Sequence, residues 1–357
     1  MKKFFVSLVM LLSLSAANVF AQSSLIATLS HNDTISVFYG IDALQEAYNQ
    51  AVDGDAITLS SGNFYAPSPI SKNISIYGAG MEQDSVNNIQ PTVLLNNFTI
   101  TAQSTESNRL TLESLWHGGI ITCGITGSDA TRKAAKGVQF VKCRFEGISS
   151  GFNSTANFTH IDDFRFVQCK IKGITALGNA TFINSYVGAP GRTCTNSNSS
   201  SFRMNYECIN CVVYGSLADA HVNYSTFTNC VLIGSKELDA TNMASNCIGI
   251  YTGDISGTDL FANLPQSSNV RFTKSSDVFK TFRSSGSGNV KDTDNFELLD
   301  VIKEKYLGTD GKEIGMYGGN LPFNPHSLSP KIKKFNVASK STADGKLSVD
   351  IEVDGVE

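Results

Sequence analysis

The 357 residues are 41% hydrophobic, enough apolar side chain to bury a large core, which excludes wholesale disorder. Net charge is −4 and no basic block exists, so the chain lacks the concentrated Lys and Arg that nucleic-acid binding requires. Charged residues make up 17%, below the usual roughly 25%. The polar surface must therefore come from Asn, Ser, Thr and Gly, which favour turns and caps over helix interiors.

Residues 1–21 read as an export signal. Lys2 and Lys3 precede the apolar run Phe4 to Leu14, and Ala21 offers a small-residue cleavage site before Gln22. The run is too short for a comfortable membrane span, and no later segment reaches about 18 apolar residues. The expectation is cleavage and a secreted chain in the periplasm, at the cell surface or outside it. It has no transmembrane segment and is expected to act as a monomer.

A stretch with helical spacing follows. Leu44, Ala47, Tyr48 and Ala51 predict a helix over 42–53, with Asp42 and Gln45 as a capping pair and Gly54 as its stop. Such a helix would close the end of whatever stack follows.

The organising feature is a degenerate unit, Phe-x-Asn-Cys-x-apolar-x-Gly. It runs Phe140 to Gly147 (FVKCRFEG), Phe166 to Gly173 (FVQCKIKG), Phe182 to Gly188 (FINSYVG), Cys208 to Gly215 (CINCVVYG) and Phe227 to Gly234 (FTNCVLIG), with a decayed copy at Ser245 to Ile250. Looser copies fit Ala56–Leu59, Ile74–Tyr77, Val93–Leu95 and Leu110–Leu115. The units are β-branched, aromatic and Gly-bounded, with variable spacers and no 3.6-residue period. That pattern suits stacked strands with differing loops, a parallel β-helix, over helical repeats.

Each repeat position then has a physical role. Stacked strands about 4.8 Å apart bring like residues into ladders. Lys142, Gln168, Asn184, Asn210, Asn229 and Asn246 occupy a left-handed turn position, where amides could also bond to one another along the stack. Cys143, Cys169, Ser185, Cys211, Cys230 and Cys247 are a buried ladder behind it. Phe140, Phe166, Phe182 and Phe227 form an internal aromatic stack. Cys208 and Cys211 are two repeat positions, not a metal or redox motif. Cys123 and Cys194 fall outside the ladder and are the candidates for a disulfide.

At the C-terminal end, Pro322 to Pro330 reads as a linker. Lys331–Val337 and Lys346–Val353 alternate like a hairpin around Asp344 and Gly345. The domain reading is signal 1–21, parallel β-helix 22–325, and linker with β tail 326–357.

The signal, the lid helix followed by Asp53 to Leu59 (DGDAITL) and Ile74 to Gly80 (ISIYGAG), and the Asn/Cys repeats resemble the pectin-lyase-like superfamily of right-handed parallel β-helices. Gly308 to Gly319 (GTDGKEIGMYGG) looks like the closing segment of secreted bacterial members. The superfamily includes polysaccharide lyases, glycoside hydrolases, esterases and surface adhesins. The resemblance implies an exported protein that binds, and as a lyase would process, acidic polysaccharide. The alternative is a non-catalytic surface, adhesion or scaffold protein.

Function in this fold sits on outward strand faces and loops. Alternation after the Cys ladder puts Arg144, Lys170, Tyr186, Val212, Val231 and Ile248 outward, with Glu146, Lys172, Tyr214 and Ile233 in the next row. Arg144, Lys170 and Lys172 could meet uronate carboxylates, and Tyr186 and Tyr214 could stack on sugars, so these five are the ligand-binding candidates. The apolar end of the row is hard to leave in water, and the expectation is that the C-terminal segment covers Val212, Val231, Ile233 and Ile248. Lyases use a basic side chain for proton abstraction, a role open to Arg144, Lys170 or Lys172. Asp162 and Asp163 form the compact acidic pair among the catalytic candidates, and sharing a site would require a turn between them. The family often holds calcium with several carboxylates, yet no acidic column recurs outward here, so no metal ligand or other cofactor is assigned. The Trp116 to Gly119 stretch (WHGG) reads as an aromatic turn. Gly127–Lys136 and Arg192–Ser201 read as exposed loops.

Overall fold

The structure is a computed structural model. It describes residues 25–327 and the strands 331–337 and 349–354, apart from 87, 126–132, 152–160, 176, 189, 192–204, 216–223, 236, 253–258, 265–267 and 283–293. The signal segment, Cys194, Asp344, Gly345, the Arg192–Ser201 loop and most of the Gly127–Lys136 loop lie outside these residues.

The protein is all-β and dominated by two long sheets of eleven and thirteen strands. Apart from an antiparallel start, their neighbours are parallel. Successive chain segments alternate between the sheets. Phe164–Val167 lies in the first and Lys170–Ile171 in the second; Ala180–Ile183 and Tyr186–Gly188 repeat the step, as do Tyr206–Ile209 and Val212–Tyr214. This arrangement is consistent with a parallel β-helix.

The step between sheets is made at the turn position of the repeat. Ser114, Lys142, Gln168, Asn184, Asn210, Asn229 and Asn246 all have φ between 47° and 57°. Asn adopts this left-handed region most readily among residues bearing a Cβ, which explains its recurrence. The backbone N–H at each turn reaches the next circuit, as in Asn184 N–H to the Ile209 carbonyl at 3.0 Å and Asn210 N–H to Thr228 at 3.0 Å.

The following position is buried. Each thiol donates to the carbonyl two residues earlier and to one on the preceding circuit: Cys143 to Val141 and Leu112, Cys211 to Ile209 and Phe182, Cys247 to Ser245 and Phe227. Ser185 fills the same slot and donates to the Ile183 carbonyl at 2.8 Å. Cys123 is a free thiol within the core. Phe140, Phe166 and Phe182 stack at 5.1 and 4.8 Å between centroids. Cys208 then stands in register between Phe182 and Phe227, so the aromatic column is interrupted there.

Helix α1 (Ala43–Gln50) buries Ala43, Leu44, Ala47 and Tyr48 into the same core, as its spacing requires. It is shorter than the expected 42–53. The reciprocal cap does not form: Asp42 makes no capping bond and Gln45 turns to Asn49. The last two strands, Lys331–Val337 and Val349–Asp354, pair antiparallel with each other.

Candidate functional site

The outward row of the second sheet can be followed strand by strand. Trp116 pairs with Arg144, Arg144 with Lys170, Lys170 with Tyr186, Tyr186 with Val212, Val212 with Val231, and Val231 with Ile248. Cations stand at one end of the row and apolar side chains at the other.

The apolar end is covered by the chain itself. Tyr186, Val212, Val231, Ile233 and Ile248 join a second core with Phe279, Phe282, Phe296, Ile314, Met316 and Phe323. Full burial is worth roughly 1.5–3 kcal/mol for each such aliphatic side chain. The expectation that the C-terminal segment covers Val212, Val231, Ile233 and Ile248 holds. The same cover changes the reading of Tyr186. Its ring lies on Phe296, with centroids 4.6 Å apart and planes 12° apart. That face is therefore not available to a sugar in this arrangement. Tyr214 is half-buried with its ring edge-on to Phe282 at 5.9 Å.

Past helix α2 (Asp300–Lys305), residues 309–327 run back along the turn ladder as a strap. Thr309 N–H donates to Asn229 Oδ1 at 2.9 Å. Asn184 Nδ2 donates to the carbonyls of Met316 and Gly318 at 3.0 and 2.7 Å. Gln168 Nε2 reaches Leu321 and Pro322, and Lys142 Nζ reaches His326 at 2.8 Å. Ser327 Oγ donates to Gly78 at 3.4 Å. The sequence allows the amides of the turn position to bond one another along the stack. Instead they turn outward and bind strap backbone, because peptide carbonyls aligned beside the turns offer acceptors at hydrogen-bond distance. Residues 322–327, expected to be linker, are docked by the same bonds.

The cationic end is paired from within. Lys170 Nζ lies 2.7 Å from Glu82 Oε1 and 5.3 Å from the centroid of Phe323. Arg144 lies 3.9 Å from the same carboxylate and sits over Trp116 at 5.3 Å. Lys172 pairs with Glu146 at 2.8 Å. Arg144 and Lys170 are 14% and 17% exposed, so they do not form an open, solvated face. Burial, reinforced by Glu82, Glu297 and Glu313, pushes the nearby Tyr317 phenol up to about 12. The phenol therefore stays neutral beside Glu82 through the physiological range.

Asp162 and Asp163 are separated by the turn that a shared site would require, since Asp163 has φ 55°. Their carboxylates serve other partners: Asp163 pairs with Arg109 at 2.9 Å and Asp162 accepts from Asn179 N–H at 3.2 Å. His117, in the WHGG stretch, is fully buried with Nδ1 on the Leu94 carbonyl at 2.9 Å. Among the described residues no three His, Cys, Asp or Glu side chains come together to hold a metal. The calcium that the resemblance implies does not fit Glu82, whose carboxylate is held by Lys170 and which belongs to no cluster of three or more metal-ligating side chains among the described residues.

Glu82, Phe296 and Phe323 have no signal in the repeat. The pointer to Glu82 is that the segment from Gly80 to Gln90, between consecutive strands, is an excursion with no repeat character. Compared with known proteins, the chain matches no family model, no curated protein and no solved structure.

Proposed function

We propose that the chain is an exported right-handed parallel β-helix of pectin-lyase-like build that serves as a non-catalytic scaffold at the cell surface or outside the cell. The observation that carries this reading is self-occupation. The outward row that would face a polysaccharide is taken up by the protein's own Glu82, Phe296 and Phe323. Export rests on the Lys2–Ala21 signal pattern. Among the described residues no helix is long and apolar enough to cross a membrane, which is compatible with that route. Fractionating producing cells and reading the N-terminus of the recovered protein tests the address. A chain starting at Gln22 outside the cytoplasm supports it, and an uncleaved cytoplasmic chain refutes it.

The second reading is binding of acidic polysaccharide, with lyase-type chemistry. Its support is the compact group of Arg144, Lys170 and Glu82 beside Trp116, with Lys172 on Glu146 one row away. In that reading the glycan carboxylates displace Glu82, Arg144 and Lys170 bind them, and Tyr214 supplies a ring edge. Pull-down on immobilised uronate polymer at low and high salt separates the two readings. Salt-sensitive retention that Lys170→Ala abolishes favours the second.

A further inference from the structure

Strand Thr34–Tyr39 ends the eleven-stranded sheet, and among the described residues it pairs on one side only, with Ile26–His31. Natural sheets usually guard such an edge with a charge, a proline or a bulge. This one reads TISVFY, with none of them. Ile35, Val37 and Tyr39 are 72%, 45% and 64% exposed, while the alternate residue Phe38 packs against the core.

The hydrogen-bond phase of the edge is fixed. The hairpin turns through Asn32 and Asp33, both with positive φ, and Gly40 N–H donates to the Leu25 carbonyl at 2.8 Å. Even-numbered residues therefore direct their N–H and C=O groups to the partner strand. Ile35, Val37 and Tyr39 direct theirs to the open side. One exposed row thus carries both the apolar side chains and the free backbone groups.

We propose that this edge pairs with the same strand of a second copy, antiparallel about a two-fold axis at Val37. Two Val37 residues then face each other, and Ile35 of each copy faces Tyr39 of the other. Across an antiparallel edge an outward-directed residue can oppose only another outward-directed residue, and this register aligns all three. It also sets Asp33 opposite Ile41 and Asp42 opposite Asn32, so no like charges meet. The other occupant to consider is the chain before Leu25. The inference rests on the export reading here. After cleavage, Gln22, Ser23 and Ser24 are the residues left, and three residues span about 10 Å against about 20 Å for the strand. A six-residue strand pair is small beside the roughly 1,200–2,000 Å² of stable complexes, so the dimer is weak and concentration-dependent. This departs from the monomer expected from sequence.

Sedimentation equilibrium of the mature chain from low micromolar to several hundred micromolar tests the proposal. A monomer–dimer equilibrium is expected, with Val37→Lys weakening it by roughly tenfold or more. In a Cys194→Ser background, Val37→Cys should cross-link to itself under mild oxidant. Ile35→Cys should cross-link to Tyr39→Cys more readily than to itself. A mature chain that stays monomeric throughout, or cross-linking no faster than for Thr58→Cys, overturns the proposal. Intact mass reads the cleavage separately, and a secreted chain retaining residues 1–21 refutes the export reading without bearing on self-pairing.

Discussion

Glu82 and Lys170, 88 residues apart in the chain, meet at 2.7 Å, and this contact holds the loop after Gly80 against the cationic end of the second sheet. Removing the carboxylate leaves Lys170 beside Arg144, its register neighbour. Glu82→Gln is expected to lower stability by about 0.5–1 kcal/mol in urea unfolding, the upper end for a partly exposed pair. On the scaffold reading it should also raise salt-sensitive retention on polyuronate above that of the wild type, because Lys170 and Arg144 lose the Glu82 carboxylate.

Asn184 supplies both a left-handed turn and two bonds to the strap. Asn184→Gly loses the amide bonds, at roughly 1–2 kcal/mol, and suits the left-handed turn, whereas Asn184→Ala loses the same bonds and keeps a Cβ without the tolerance of Asn for that region, leaving it about 1–2 kcal/mol less stable than the Gly variant. Urea unfolding should rank them in that order. Hydrogen exchange should show faster exchange at residues 316–323 in both.

Phe296 is the lid on Tyr186. Phe296→Ala should cost about 3–5 kcal/mol. Burial holds the Tyr186 phenol well above its ordinary 10.0, so ultraviolet titration of the variant should show one more tyrosine ionising near that value. An unchanged titration would mean that something else buries it.

The buried thiols give the protein an alkaline limit. Burial raises the Cys169 thiol from 9.0 to about 12, and it also raises Cys143, Cys211, Cys230 and Cys247. Unfolded chains lose these protons near 9, so the stability the neutral thiols contribute is complete below that pH and falls as pH rises toward 12. Unfolding midpoints measured across this window should decline. Cys169→Ser should lessen the decline and be tolerated, since Ser185 makes the equivalent bonds in the same ladder.

What could be read in advance follows from what repeats. Cys143 to Cys247, Phe140 to Phe182 and the Asn turns recur in register, so their places follow from spacing alone, and Leu44, Ala47 and Tyr48 mark their helix by period. Apolar Val212, Val231 and Ile248 demanded a cover, and the cover is there. Its contacts were not legible, because Glu82, Phe296 and the backbone of 316–322 come from single-copy segments brought together only by the finished stack. For the same reason the amides of Asn184 and Gln168 look like a ladder in the sequence, whereas in the structure they anchor the strap. Tyr186 likewise looks like a sugar platform in the sequence, because nothing in the repeat announces Phe296.

The proposed scaffold role requires that this outward face, occupied by the protein's own side chains, cleaves no glycan. The mature protein, incubated with a panel of uronate polysaccharides with and without calcium, tests it when unsaturated product and new reducing ends are followed separately. Neither product is expected with any substrate. Unsaturated product that disappears on Lys170→Ala would refute the scaffold role.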